Sequence, residues 1–296
     1  MRDGFLIIDK PRGVTSHDVV QRVRRVAHTR QVGHAGTLDP LATGVLIVCV
    51  GQATRLSEYL LGHDKAYRAT MCLGVETDTY DADGQITATR AVNVDRTTLA
   101  AALQQFVGNI QQVPPMHSAI KQHGQKLYEL ARAGVEVDRP ARPVTIHSIE
   151  VVDFNAPQVV IDVRCSAGTY IRSLAHDVGE VLGTGAHLTA LSRTASGPFT
   201  IAEATPLERL EAAANADEWT TFLRSIDAAL SDWPSVVLDE RQQQRAITGG
   251  RIEALQLNAE RCRAYDAHGN LIALLVFDQK KHWWRAEKVL TINTEH

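Results

Sequence analysis

The chain has 296 residues, 44% of them hydrophobic and 22% charged, with a formal net charge of −3. That length and apolar content suffice for one large domain, or one large and one small, and no apolar run reaches the ~18 residues that a membrane span requires. The charge is uneven: residues 201–240 hold nine carboxylates against Arg209 and Arg224, so the remainder is net positive and leaves room for a basic face that the total conceals. Cys49, Cys72, Cys165 and Cys262 are scattered, and neither they nor the twelve histidines fall at zinc-ligand spacing. Reduced core thiols, a cytoplasmic setting and chemistry without metal or cofactor are expected.

In chain order, Gly4 to Asp9 predicts a short strand carrying Phe5, Leu6, Ile7 and Ile8, and Lys10-Pro11-Arg12-Gly13-Val14-Thr15-Ser16 a turn whose Ser16 is placed to cap a helix. In that helix Val19, Val20, Val23 and Val26 recur at helical spacing. Arg22, Arg24 and Arg25 lie off the stripe, either as a solvated face or as phosphate contacts together with Arg30 and His34 downstream. Gly33 to Gly44 then sets a carboxylate, Asp39, among glycines, Pro40 and small residues, ahead of the buried-strand run Val45 to Val50. An Asp before Pro in such a turn is often a turn former. His34, Thr37 and Asp39 gathered by one tight loop are also the material of a site.

Gln52 to Leu61 reads as a helix stopped by Gly62, and from Lys65 alternation places Tyr67, Ala69, Met71, Leu73 and Val75 on one face. The segment Asp78 to Gly84 fails the calcium-loop pattern, since setting Gly84 sixth puts Thr79 first and Arg90 twelfth. Asp95 caps a helix through Leu99, Leu103 and Phe106 that ends by Gly108. A polar segment at about 112–143 carries Lys121, Lys126, Arg132, Arg139 and Arg142, as a solvated surface insertion would. Val144 to Val152 and Val159 to Cys165 predict paired strands, and the chain then turns through Gly168 into a helix that opens on Tyr170, Ile171 and Arg172. A strand from Leu188 to Ser192 follows. The acidic stretch after Pro206 is helical by pattern, and from about Val236 short strands form a small β region in which Trp283 and Trp284 either stack on bases or pack the sheet.

The segments KPRGVTS, GHAGTLDPLATGVL, KAYR, DTYDADG, PPMHSAIKQHGQKLYELAR and RCSAGTYIR, in this order, resemble the motifs of TruB-type tRNA pseudouridine synthases over nearly the whole chain. The resemblance implies an α/β (α+β) pseudouridine synthase core with a mixed, mainly antiparallel sheet and a central cleft over residues 1–235. It also implies an RNA-gripping thumb at about 112–143 and a short or divergent PUA-like RNA-binding domain over 236–296. The implied reaction converts uridine 55 of the tRNA T-loop to pseudouridine, on a flipped nucleotide, with Asp39, Tyr67, Tyr170 and Arg172 catalytic. His34, Leu191, Lys10, Thr37, Asp81, Lys121 and Arg132 are the implied substrate-binding residues, Lys10 through support of the active-site loop and Asp81 as a supporting carboxylate near the cleft. Arg172 is expected to hold Asp39 ionised, lowering its pKa against desolvation. The implied partner is the tRNA T-arm, acted on by a monomer without a protein partner; a guide-RNA-dependent target and a tRNA-folding role are the alternatives.

Overall fold

The computed structural model describes residues 3–290, apart from 119, 123, 128, 129, 131–133, 136, 217, 254 and 256. The first elements are β1 (Gly4–Lys10), α1 (Ser16–Val26), β2 (Val32–His34) and β3 (Thr43–Val50). A 3-10 turn (Gly51–Leu56) leads into α2 (Ser57–Leu61), and β4 (Lys65–Leu73), α3 (Arg96–Gln104) and β5 (Gly108–Gln112) follow. Next come β6 (Arg142–Asn155), β7 (Gln158–Cys165), α4 (Ile171–Val181) and β8 (Ala186–Ser196). They build a ten-stranded mixed sheet in the order Thr205–Pro206, β1, β3, β8, β4, β7, β6, β5, with β2 also on β3 and Phe199–Thr200 on β8. Pairings are antiparallel except where β1 meets Thr205–Pro206 and where β3 meets β8.

The continuous apolar runs of β1 and β3 have a simple cause: the sheet is covered on both faces there. Leu6, Ile8, Leu46, Val48 and Val50 point to one core, which α1 closes with Val19, Val20, Val23 and Val26. Phe5, Ile7, Val45, Ile47 and Cys49 point to the other, closed by Leu56 and Leu60 and, from the far end of the chain, by Leu274 and Leu290. In β4 the expected alternation holds, with Tyr67, Ala69, Met71 and Leu73 buried, while Val75 starts a separate short strand and is half-buried. The N-cap of α1 is Thr15 rather than Ser16. Thr15 and Asp18 form a reciprocal capping box, which frees the Ser16 hydroxyl for a tertiary contact.

The acidic stretch contributes α5 (Leu207–Ala212) and several 3-10 turns. Beyond it β9 (Ser235–Val237), α6 (Glu240–Thr248), β10 (Arg261–Tyr265), β11 (Leu271–Asp278) and β12 (Trp283–Val289) form a four-stranded sheet in the order β9, β10, β11, β12. Trp284 is a core residue of this unit, and Trp283 is half-buried with Arg251 and Lys281 over its ring. Among the described residues no helix is long and apolar enough to cross a membrane.

Candidate active site

Asp39 lies on the loop between β2 and β3, and four anchors fix that loop from below. Ser16 takes both ends of one residue: its hydroxyl accepts from Leu38 N at 2.8 Å and donates to Leu38 O at 3.1 Å. Gly13 N donates to Pro40 O at 2.8 Å. Lys10, fully buried, spends its ammonium on Val14 O (2.8 Å) and Pro11 O (3.0 Å), with Pro40 O at 3.5 Å. Lys10 therefore ties together the backbone carbonyls on either side of the loop. Burial pulls its pKa down to about 8 against the pull of Asp39.

The fourth anchor is Arg193 of β8, which the sequence reading did not single out. It is 1% exposed, and it donates to Val45 O (2.7 Å), Gly36 O (3.1 Å) and Thr37 O (3.4 Å), so that one guanidinium clamps the chain on both sides of Asp39. Among the described residues it has no carboxylate partner, and it faces the Tyr67 hydroxyl. The backbone accommodates this approach through Gly44, which sits at φ 97°, where a Cβ would fall 2.3 Å from Arg193 O. The signal available in sequence was an arginine on the same strand as Leu191.

Arg172, in the first turn of α4, reaches the carboxylate from the opposite wall. Its Nε stands 2.9 Å from Asp39 Oδ2, an ion pair in which the N–H is not aligned as a hydrogen bond. The remaining donors go to Asp81 Oδ2 (3.3 Å), Thr79 O (3.1 Å) and His117 O (2.8 Å). One buried guanidinium thus joins the Asp39 loop, the Asp78–Gly84 turn and the base of the 112–143 segment. Asp81 is itself buried, is held by Thr79 and by Asp83 N, and pairs with Arg172. The start of α4 is tied to the same segment, because Gln112 bonds both N and O of Tyr170 and Ser173 bonds Val113 O.

The electrostatic outcome at Asp39 differs from expectation. Desolvation raises its pKa above the ordinary carboxylate value, and the neighbouring Arg172 offsets this only in part, with Asp81 adding to the rise. The side chain keeps 36% of its exposure and lines two cavities. Tyr67 and Tyr170 are both shifted up, burial being the first cause in each. His34 is shifted down by burial, with Arg193 and His17 adding to the effect.

Two cavities meet at Asp39. A narrow one of about 250 Å³ is lined by Lys65, Tyr67, Tyr170, Leu191 and Arg193 as well as Asp39 and Arg172. A wider one of about 660 Å³ opens over His17, His34, Thr37, Asp81 and His117. Asp39, Tyr67, Tyr170, Arg172, His34, Leu191, Thr37 and Asp81 are thus brought together. Of Lys121 only the backbone, in the short strand Lys121–Gln122, is described, and Arg132 lies outside the described residues. No group of three or more His, Cys, Asp or Glu placed to hold a metal is found among the described residues.

Family models describe the same stretch of chain. Residues 24–171 match the N-terminal domain of the TruB family pseudouridylate synthases, and residues 172–231 match the tRNA pseudouridylate synthase B C-terminal domain, which ends before the four-stranded sheet. The chain is 47% identical over 279 residues to tRNA pseudouridine synthase B of Burkholderia mallei (strain NCTC 10247), covering 92% of each. It is 45% identical over 254 residues to the protein of that name from Haemophilus influenzae (strain ATCC 51907 / DSM 11121 / KW20 / Rd), covering 85% of this chain and 81% of that one. Among solved structures it is similar to a chain of a Cbf5-Nop10-Gar1 complex, with a TM-score of 0.74 and 26% identity over 97% of this chain and 85% of the other.

Proposed function

Because the chain belongs to the TruB family of tRNA pseudouridine synthases, which are isomerases, we propose that it converts uridine 55 in the T-loop of tRNA to pseudouridine. The observation that carries this reading is the position of Asp39, ion-paired to Arg172 at the junction of a narrow and a wide cavity. The narrow cavity takes the flipped base, with Tyr67 and Leu191 along its walls, and the wider one takes the displaced backbone beside His34 and Thr37. An ionised Asp39 then acts on the sugar. Two routes use it, attack at C1′ or removal of the 2′ proton to give a glycal, and deuterium at C2′ slows only the second.

In either route the N1–C1′ bond breaks with its electron pair leaving on uracil, the base turns within the pocket, and a C5–C1′ bond forms. The C5 proton is lost and N1 gains one, and on the glycal route the proton taken from C2′ is returned there as the C5–C1′ bond forms, so the product is an isomer and no redox partner enters. The buried cations Arg193 and Lys65 line the pocket and favour the departing uracil anion. A glycosidase usually needs two carboxylates, one to protonate a poor leaving group. Uracil leaves more readily, so one carboxylate suffices here. In this reading the enzyme works in the cytoplasm as a monomer, the 112–143 segment grips the T-arm, and the chain divides at about 235 into a catalytic domain and a PUA-like RNA-binding domain.

The test is tritium release from tRNA labelled at uridine C5. Release is expected from unmodified tRNA and from an isolated T-arm hairpin, and none when position 55 is cytidine or when Asp39→Asn replaces the enzyme. Release that persists with cytidine at 55 moves the target elsewhere. Turnover of tRNA only on addition of a guide RNA overturns the stand-alone reading.

A further inference from the structure

α1 carries a polar stripe at helical spacing on its outer face: His17, Gln21, Arg24 with Arg25, then His28 just past its end. His17 lines the wide cavity beside Asp39. At the other end Gln21, Arg24, Arg25, His28, Thr29 and Arg30 line an open depression of about 540 Å³. At 1.5 Å per residue the stripe runs about 16 Å from the mouth of the active site.

Its charge is left uncompensated by the helix and its neighbours. Asp18 is spent on the Thr15 cap, and Glu211 pairs with Arg22 at 3.6 Å, at the edge of the stripe. Among the described residues no carboxylate pairs with Arg24, Arg25, His28 or Arg30. Arg24 donates to Val32 O at 3.1 Å through Nη2, while its Nε is buried without a partner. The helix ends with Thr29 N bonded to Arg24 O at 3.3 Å, which puts His28 at φ 49°. Glycine is the usual occupant of that position, and here an imidazole stands at the depression instead. The partial negative charge of the helix C-terminus, about half a unit, is small beside three guanidinium groups.

We propose that this stripe is a track for the phosphodiester backbone of the substrate tRNA, leading from the flipped nucleotide along α1 to the arginine depression. The inference rests on the reading of the protein as a tRNA-modifying enzyme and adds a second contact surface to it. Contacts of this kind position the RNA without reading its sequence, and they show as salt dependence.

Binding of unmodified tRNA is measured against salt for the wild type, for Arg25→Ser/Arg30→Ser, and for Arg22→Ser, each checked for an unchanged melting midpoint. Each lost phosphate contact removes about 0.7–0.9 from the slope of log K against log salt. The double variant is therefore expected to lose about 1.5 from the slope and about tenfold in affinity at low salt, and Arg22→Ser to lose neither. A double variant with wild-type slope and affinity overturns the track, as does an equal loss in Arg22→Ser, which would mean that any charge on the helix serves. Failure of the catalytic reading is distinct, since it shows as absence of uridine-55-dependent tritium release by the wild type whatever the slopes.

Discussion

At Asp39 desolvation and an arginine compete, and desolvation wins. Since its folded pKa lies above the unfolded value, the stabilising contribution of this group is complete below the unfolded pKa and is lost as pH rises through the folded one. It is therefore the ionised form of Asp39 that weakens the fold. Asp39→Asn is expected to abolish turnover while raising the thermal midpoint at neutral pH, and the gain should shrink in acid; a lower midpoint than wild type would contradict the sign. For the same reason the acid limb of the pH–rate profile should lie above the ordinary carboxylate range. Arg172→Lys keeps a charge but has neither the reach nor the fork to hold Asp39, Asp81 and two carbonyls together. It should lower single-turnover kcat by on the order of 10²-fold and move the acid limb to higher pH, whereas a change confined to tRNA affinity would dismiss the pairing.

At the scale of elements, the Asp39 loop is held by chain segments far apart in sequence: the turn after β1, the start of α1, and β8. The tightest point is the parallel contact of β3 with β8, Arg193 opposite Gly44. Gly44→Ala adds a Cβ 2.3 Å from a backbone oxygen at a positive φ. Neither atom is a flexible side-chain end, so the strands must part. A loss of at least about 1–3 kcal/mol in denaturant unfolding is expected, with turnover falling as well because Arg193 is displaced from Gly36, Thr37 and Val45. Arg193→Met should likewise lower kcat, and Arg193→Lys should recover only part of it, one amine replacing three directed donors.

For the whole molecule, the C-terminal sheet is more than an appended binding unit. Leu274 and Leu290 complete the core behind β1 and β3, Tyr59 OH donates to Glu287 Oε2 at 3.0 Å, Lys288 pairs with Glu58 at 2.6 Å, and Arg55 donates to Val289 O. Ending the chain at 235 would bare an apolar face of the main sheet. The truncated protein is therefore expected to melt at a lower temperature and to aggregate, in addition to losing RNA affinity. An unchanged midpoint, read by calorimetry on both forms, would show the two units to be energetically independent.

The local pattern was enough to determine much of this protein. Alternation placed Tyr67 on a buried face, valine spacing defined α1, Gly62 and Asp95 marked helix ends, and the loop composition around Asp39 together with the family motifs brought Tyr170, Arg172 and Leu191 to one cleft. Such features depend on neighbours within a few residues, which is what a sequence records directly. Three outcomes depended on the tertiary structure: the partners that Lys10 and Asp81 find, the clamp made by Arg193, and the upward pKa of Asp39. Each is a balance between desolvation and partners that arrive from distant parts of the chain, and the outcome is set by distances that exist only once the sheet has closed.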